Sequence, residues 1–240
     1  MTCTQKKLDA HIFSIEMRSK ECLNSTNCQT ETPSFMAKEM PYHEKLQGII
    51  GYGNLLRDFD PHLVNEDLGK QKSIELQSIW KNESESFRED ASDKEKYEIA
   101  YRSYLQNWVT ANNFMGKHLG EFGTTKFVRA SIAAWKQKYA RFAFALKILF
   151  TLSPKTAFRI LAKRLAYQMQ VFSPFSVSEL NEHRMIINAT PCKILETRDR
   201  NDFCLWACQN IVPAWLEAQF NVKMNPHRQG TSCTAIFEPF

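Results

Sequence analysis

Residues 124–150 contain neither glycine nor proline and are rich in alanine and aromatic side chains. Such a run predicts one long helix, because nothing in it interrupts the backbone hydrogen-bond ladder. A chain that houses so long a helix has to pack others around it. Leu46, Ile49, Ile50, Leu55, Leu56 and Phe59 predict a helix over residues 42–59, with a break allowed near Gly51. Leu68, Ile74, Leu76, Ile79, Trp80 and Phe87 predict another over residues 67–88. Ser92 followed by Glu95 resembles a capping box. The helix it opens carries Tyr97, Ala100, Tyr101, Tyr104, Leu105 and Trp108 on one wide aromatic face and is expected to end before Gly116. Ser153 and Pro154 restart a helix that runs to about Phe172.

The texture changes after Pro174. Residues 184–192 read as a β-branched strand stopped by Pro191, and a helix is expected from Asn201 or Asp202 to about Phe220. Two short strands follow, over 222–224 and 233–237, separated by a turn at 225–230. The expected fold is α+β and predominantly helical: an N-terminal helical bundle, then a small antiparallel sheet with one packed helix. Its parts are a partly flexible arm over residues 1–40 with a short helix at 8–17, a helical region over 41–173, and a small α+β region over 174–240 that completes a shared core.

A chain of 240 residues with 43% hydrophobic content can bury a sizeable core. Seven cysteines is an odd number, and no apolar stretch follows the polar opening residues, so reduced thiols and a cytoplasmic protein are expected. The longest apolar run, residues 142–150, contains Lys147 and is far shorter than a membrane helix, which needs about 20 residues. Between Lys117 and Gln170 eleven Lys or Arg face the single acid Glu121, although the net charge is only +5. Lys136, Lys138, Arg141, Lys147, Lys155, Arg159, Lys163 and Arg164 read as the solvated sides of amphipathic helices. No nucleic-acid motif accompanies them, so no nucleic-acid partner is expected.

Chemistry concentrates near the C-terminus, where Cys192, Cys204, Cys208 and Cys233 lie with His227 among them. Cys204 and Cys208 are four apart on an expected helix and share a face with Ile211 and Trp215, the pattern of small core hydrophobes as much as of a site. Zinc could draw on the four cysteines, with His227 in exchange for one, but no tight Cys-x₂₋₄-Cys knuckle is present, so no metal or other cofactor is expected and zinc stays a minor alternative. A nucleophilic site needs a thiol and a base. Cys233, Cys208 or Cys192 can supply the first and His227 the second, while Arg228 can hold a substrate carboxylate. The glycines at 48, 51 and 53 lack the strand and the Lys-Ser/Thr of a phosphate loop.

The strand ending in Cys192, the helix with Cys208 and the stretch Gly230-Thr231-Ser232-Cys233-Thr234-Ala235-Ile236-Phe237 together resemble the L-2-amino-thiazoline-4-carboxylic acid hydrolase-like family. More distantly they resemble the 4-vinyl-reductase-type small-molecule-binding domains. The resemblance covers roughly residues 120–240. Phe237 comes later than the family pattern has it, and Gln209 and Asn210 stand where an acidic residue is expected. The resemblance implies a small thiol-lined cavity in an α+β domain acting on heterocycles. Cys208 and Cys233 with His227 would be catalytic, and Arg228, Cys192 and Trp206 would bind substrate. Ring opening or cyclisation would follow attack of a thiol or water on an amidine or carbonyl carbon. The function expected is therefore a hydrolase or cyclase acting on a carboxylate-bearing small molecule, with a homodimer left open. The alternatives are a non-catalytic small-molecule- or metal-binding module and a helical interaction protein.

Overall fold

The computed structural model describes residues 39–83, 86–196 and 203–239. The polypeptide divides into a unit Met1–Pro33, outside the described residues together with the helix expected at 8–17, and a unit Ser34–Phe240. The second unit is predominantly helical α+β, as the sequence pattern implied.

Helix α1, Tyr42–Leu68, does not break at Gly51 and runs on past Phe59. Ile49, Tyr52, Leu56 and Val64 are buried along it, and that packing outweighs the weak helix propensity of glycine. It stops where Gly69 takes φ +87°, a conformation open to glycine. Helix α2, Lys70–Glu83, buries Leu76 and Trp80 and is shorter at both ends than the periodicity suggested. Helix α3, Asp93–Lys138, starts with the anticipated capping box: Glu95 N–H donates to Ser92 Oγ, and Ser92 N–H donates to Glu95 Oε2 at 2.9 Å.

The end expected before Gly116 does not occur. The helix continues to a kink at Gly120, whose φ of +62° suits glycine, and then on to Lys138. The long helix expected over 124–150 is in turn divided at Tyr139, with α4 covering Ala140–Leu152. No glycine or proline marks that division. Tyr139 is held by tertiary contacts, its hydroxyl by Tyr52 and its ring by Trp215. Helix α5, Pro154–Met169, buries Ala157, Phe158, Leu161, Ala162, Leu165 and Ala166 along one face. On α4 the outward stripe Phe144, Ile148 and Leu152 is exposed.

The sheet has the order Ser176–Leu180 (β1), Met185–Ala189 (β2), Ser232–Pro239 (β4), Val222–Gln229 (β3), every neighbouring pair antiparallel. Strand β1, Ser176–Leu180, was not anticipated, because it is a polar edge with no β-branched run. Strand β2 is Met185–Ala189. After it come a short helix α6, Lys193–Glu196, and then a π-helix, Cys204–Ile211, leading into α7, Val212–Phe220. Residues 201–202, where the helix was expected to begin, lie outside the described residues. The π-helix was not anticipated either, and Pro213 gives its physical reason. Proline has no N–H to donate and its ring crowds the carbonyl four residues back, so the preceding turn widens and Val212 N–H donates to Ala207 O instead.

Strands β3, Val222–Gln229, and β4, Ser232–Pro239, are longer than expected, and the turn is only Gly230-Thr231. Pro226 fits inside β3 because that strand is the edge of the sheet. Gly230 has φ +59°, matching a two-residue turn with glycine at its first position. One buried cluster joins α1, α2 and α3 with Cys192, Ile194, Cys204, Ala207 and Ile211. A second joins α4 and α5 with the inner face of the sheet and α7. The hydrophobic core thus crosses the helical and α+β regions. Among the described residues no helix is long and apolar enough to cross a membrane.

Candidate ligand cavity

Strand alternation sets the first wall. The registers pair Met224 with Phe237, Pro226 with Ala235 and Arg228 with Cys233, so these residues share one face of the sheet with Met185, Ile187 and Ala189 of β2. Asn225, His227 and Thr234 share the other face. On the inner side a cavity of about 130 Å³ lies between the sheet and the helices. Helix α5 lines it with Leu161, Arg164, Leu165 and Gln168, spaced at three and four residues and hence on one face. Ala207 and Cys208 of the π-helix and Val212 and Trp215 behind it line another side, and Tyr52, Trp135, Tyr139 and Phe172 close it. The surface is overwhelmingly apolar. For comparison, an engineered cavity of about 150 Å³ holds benzene.

Aromatic rings brace the wall. Trp215 stands edge-on to Trp135 at 5.6 Å and lies 5.3 Å from the Tyr139 ring. Tyr52 packs on Phe172 at 5.0 Å, and the Tyr52 and Tyr139 hydroxyls are hydrogen bonded at 2.8 Å. Burial, reinforced by the Tyr139 hydroxyl, holds the Tyr52 phenol protonated well above the usual tyrosine range. Arg164 lies near enough to Tyr52, Tyr139 and Tyr167 for its charge to oppose that rise in each.

The structure brings the four C-terminal cysteines into one neighbourhood. Cys192, Cys208 and Cys233 line the cavity, and Cys204 is buried beside them. Cys192 N–H donates to Thr231 O at 2.8 Å, which ties the end of β2 to the β3–β4 turn. Burial raises the Cys208 thiol well above its usual range, and the neighbouring thiols add to the effect. Burial, with Cys192 and Cys204 nearby, pushes Cys233 up to about 11, and Arg228 offsets part of that. Cys204 is also raised by burial. Gln209 Nε2 lies 3.9 Å from the Cys204 sulfur, one π-helical turn on. Among the described residues no group of three or more His, Cys, Asp or Glu has a metal-holding arrangement.

The remaining sequence candidates lie elsewhere. His227 is exposed on the opposite face of the sheet from Cys233, so the structure does not bring base and thiol together. Arg228 is on the inner face but exposed at the hairpin end, where its Nε donates to Gly230 O at 3.3 Å. Trp206 is half-buried and packs against the helical core outside the cavity lining. A wider, open groove of about 970 Å³ runs past Arg57, His62, Lys70, Trp80 and Asn107. It is a surface trough walled largely by long polar side chains and holds none of the cysteines. Sequence reasoning missed Arg164, Tyr52 and Tyr139 as wall residues. Arg164 looks like one more solvated cation, yet it flanks the stripe of Leu161 and Leu165, a position from which a long side chain reaches an apolar core.

No family model matches the chain, and no curated protein does. Among solved structures it is similar to an H-NOX protein mutant from K. algicida in the Fe(II) unliganded form. The identity is 12%, over 80% of this chain and 95% of that one, with a TM-score of 0.33.

Proposed function

We propose that this protein binds a small, largely apolar molecule in the cavity between the inner face of the sheet and helices α3 to α5. The observation that carries the reading is the cavity itself: about 130 Å³, flanked by alanines and rigid aromatics, with few polar groups among its walls. Close-packed interiors leave few voids larger than a water molecule, so one of this size stands out. A single six-membered ring matches its volume.

The non-catalytic reading is favoured over hydrolysis or cyclisation by the state of the thiols. A nucleophilic cysteine acts as thiolate, and Cys208 and Cys233 are held neutral by burial first and by neighbouring thiols, Cys192 and Cys204 beside both. His227, the expected base, faces away from them. The cysteines are therefore assigned to the wall, where they act as small hydrophobes.

The test is calorimetric titration with toluene and indole, repeated on Ala189→Leu and Ala207→Leu, which place added carbons in the cavity. Saturable one-to-one binding lost by at least about tenfold in both variants is expected, since each removes the space for the ring. Binding that is absent, or unchanged in both folded variants, contradicts the reading.

A further inference from the structure

The few polar groups around this cavity are mostly hydrogen-bond donors. Arg164 lines it half-buried, and among the described residues its guanidinium has neither an ion-pair partner nor a hydrogen bond. Trp215 lines it at 5% exposure, and its indole N–H is buried with no acceptor. Of the hydrogen-bonded Tyr52 and Tyr139 hydroxyls, whichever donates leaves the other's proton free. These groups are contiguous, because the Tyr139 ring touches Trp215 and its hydroxyl lies within the influence of Arg164. Arginine and the indole N–H can donate but cannot accept.

The Gln168 amide adds both a donor and an acceptor to the lining. On the outer side of α5 the Tyr167 hydroxyl donates to Glu44 Oε2. Ser173 Oγ accepts from Lys193 N–H and donates to Pro174 O. Lys138 lies outside the lining, with Nζ 4.1 Å from the centre of the Tyr52 ring. A cavity with unpaired donors, a cation at its wall and an apolar body calls for a ligand with an acceptor-only, negatively charged end.

Resting on the binding reading above, we propose that the ligand is a monocyclic carboxylic acid, bound as carboxylate with its ring in the cavity. The Arg164 guanidinium takes the carboxylate through its planar fork, and the Trp215 N–H and the free tyrosine proton supply further donors. The carboxylate anchor is thereby assigned to α5, in place of Arg228 at the exposed hairpin.

The experiment compares benzoate and phenylacetate with the uncharged isosteres benzamide and toluene, by calorimetry on the wild-type chain and on Arg164→Gln, Arg164→Lys and Trp215→Phe. Thermal melts of each variant establish that it is folded. The acids should bind more tightly than either isostere. Arg164→Gln should weaken the acids by about 10- to 100-fold with little effect on toluene, and Arg164→Lys, which keeps the charge but loses the fork, should fall between. Trp215→Phe should weaken the acids less than Arg164→Gln does. Acids that bind Arg164→Gln as well as wild type, or no better than toluene, overturn the carboxylate assignment and leave the apolar cavity reading standing. If neither acids nor toluene bind wild type, both readings fail.

Discussion

The hydroxyls of Tyr52 and Tyr139 meet at 2.8 Å, linking the middle of α1 to the residue that divides α3 from α4. Removing one partner strands the other in an apolar wall. Tyr52→Phe and Tyr139→Phe should each destabilise the protein by about 1–3 kcal/mol, and the double variant by clearly less than their sum. Denaturant unfolding of all four proteins checks this. Additive losses would mean the pair makes no net bond.

Alkaline titration offers a second check. Burial raises the phenols of Tyr52, Tyr97, Tyr101 and Tyr139 above their ordinary value, so the folded state holds these protons more tightly than the unfolded chain. Their contribution to stability is complete below the unfolded value of about 10 and is lost as pH rises beyond it. Phenolate absorbance should lag behind that of the denatured chain by at least about one pH unit for these tyrosines. These four titrating near the ordinary tyrosine value would contradict their burial.

The thiols make a sharper statement at neutral pH. With Cys233 pushed up to about 11, its thiolate fraction near pH 7.5 is on the order of 100-fold below that of a free cysteine. Native alkylation followed by peptide mass analysis should find Cys204, Cys208 and Cys233 slow to label, with rates rising at alkaline pH. Rapid labelling of Cys233 or Cys208 at pH 7.5 would restore the nucleophilic reading.

Two glycines of α1 should respond to alanine with opposite signs. A Cβ on Gly48 would lie 2.7 Å from a methyl of Val171, a stiff side chain, whereas one on Gly53 meets nothing within 4 Å. Gly48→Ala should cost about 1–3 kcal/mol, and Gly53→Ala should add about 0.5–1 kcal/mol through helix propensity. Thermal unfolding of the two variants decides it. A stabilised Gly48→Ala would contradict the packing of α1 against the segment after α5.

The α+β, mainly helical class was legible because periodicity and the cap at Ser92 act locally. Boundaries fixed by tertiary contact were not. Nothing in the sequence around Tyr139 marks a division, since its cause is the contact with Tyr52 and Trp215, distant in the chain. Gly116 and Gly120 look alike on paper, and only the kink separates them. At the site, it is the family resemblance that groups Cys192, Cys208 and Cys233, and all three line the cavity. The positions of His227 and Arg228 depended on a strand parity that the misjudged turn at 225–230 concealed. Arg164 was hidden among the cations of a helix whose buried face becomes a cavity wall only when the sheet packs on it.

Diffraction from crystals pressurised with xenon reads the cavity itself, because xenon enters enclosed apolar cavities without needing polar contacts. Xenon density is expected between Ala189, Ala207 and Trp215, with its loss in Ala207→Leu. An unoccupied cavity in wild-type crystals, with xenon bound elsewhere in the same molecule, would contradict the proposed ligand cavity.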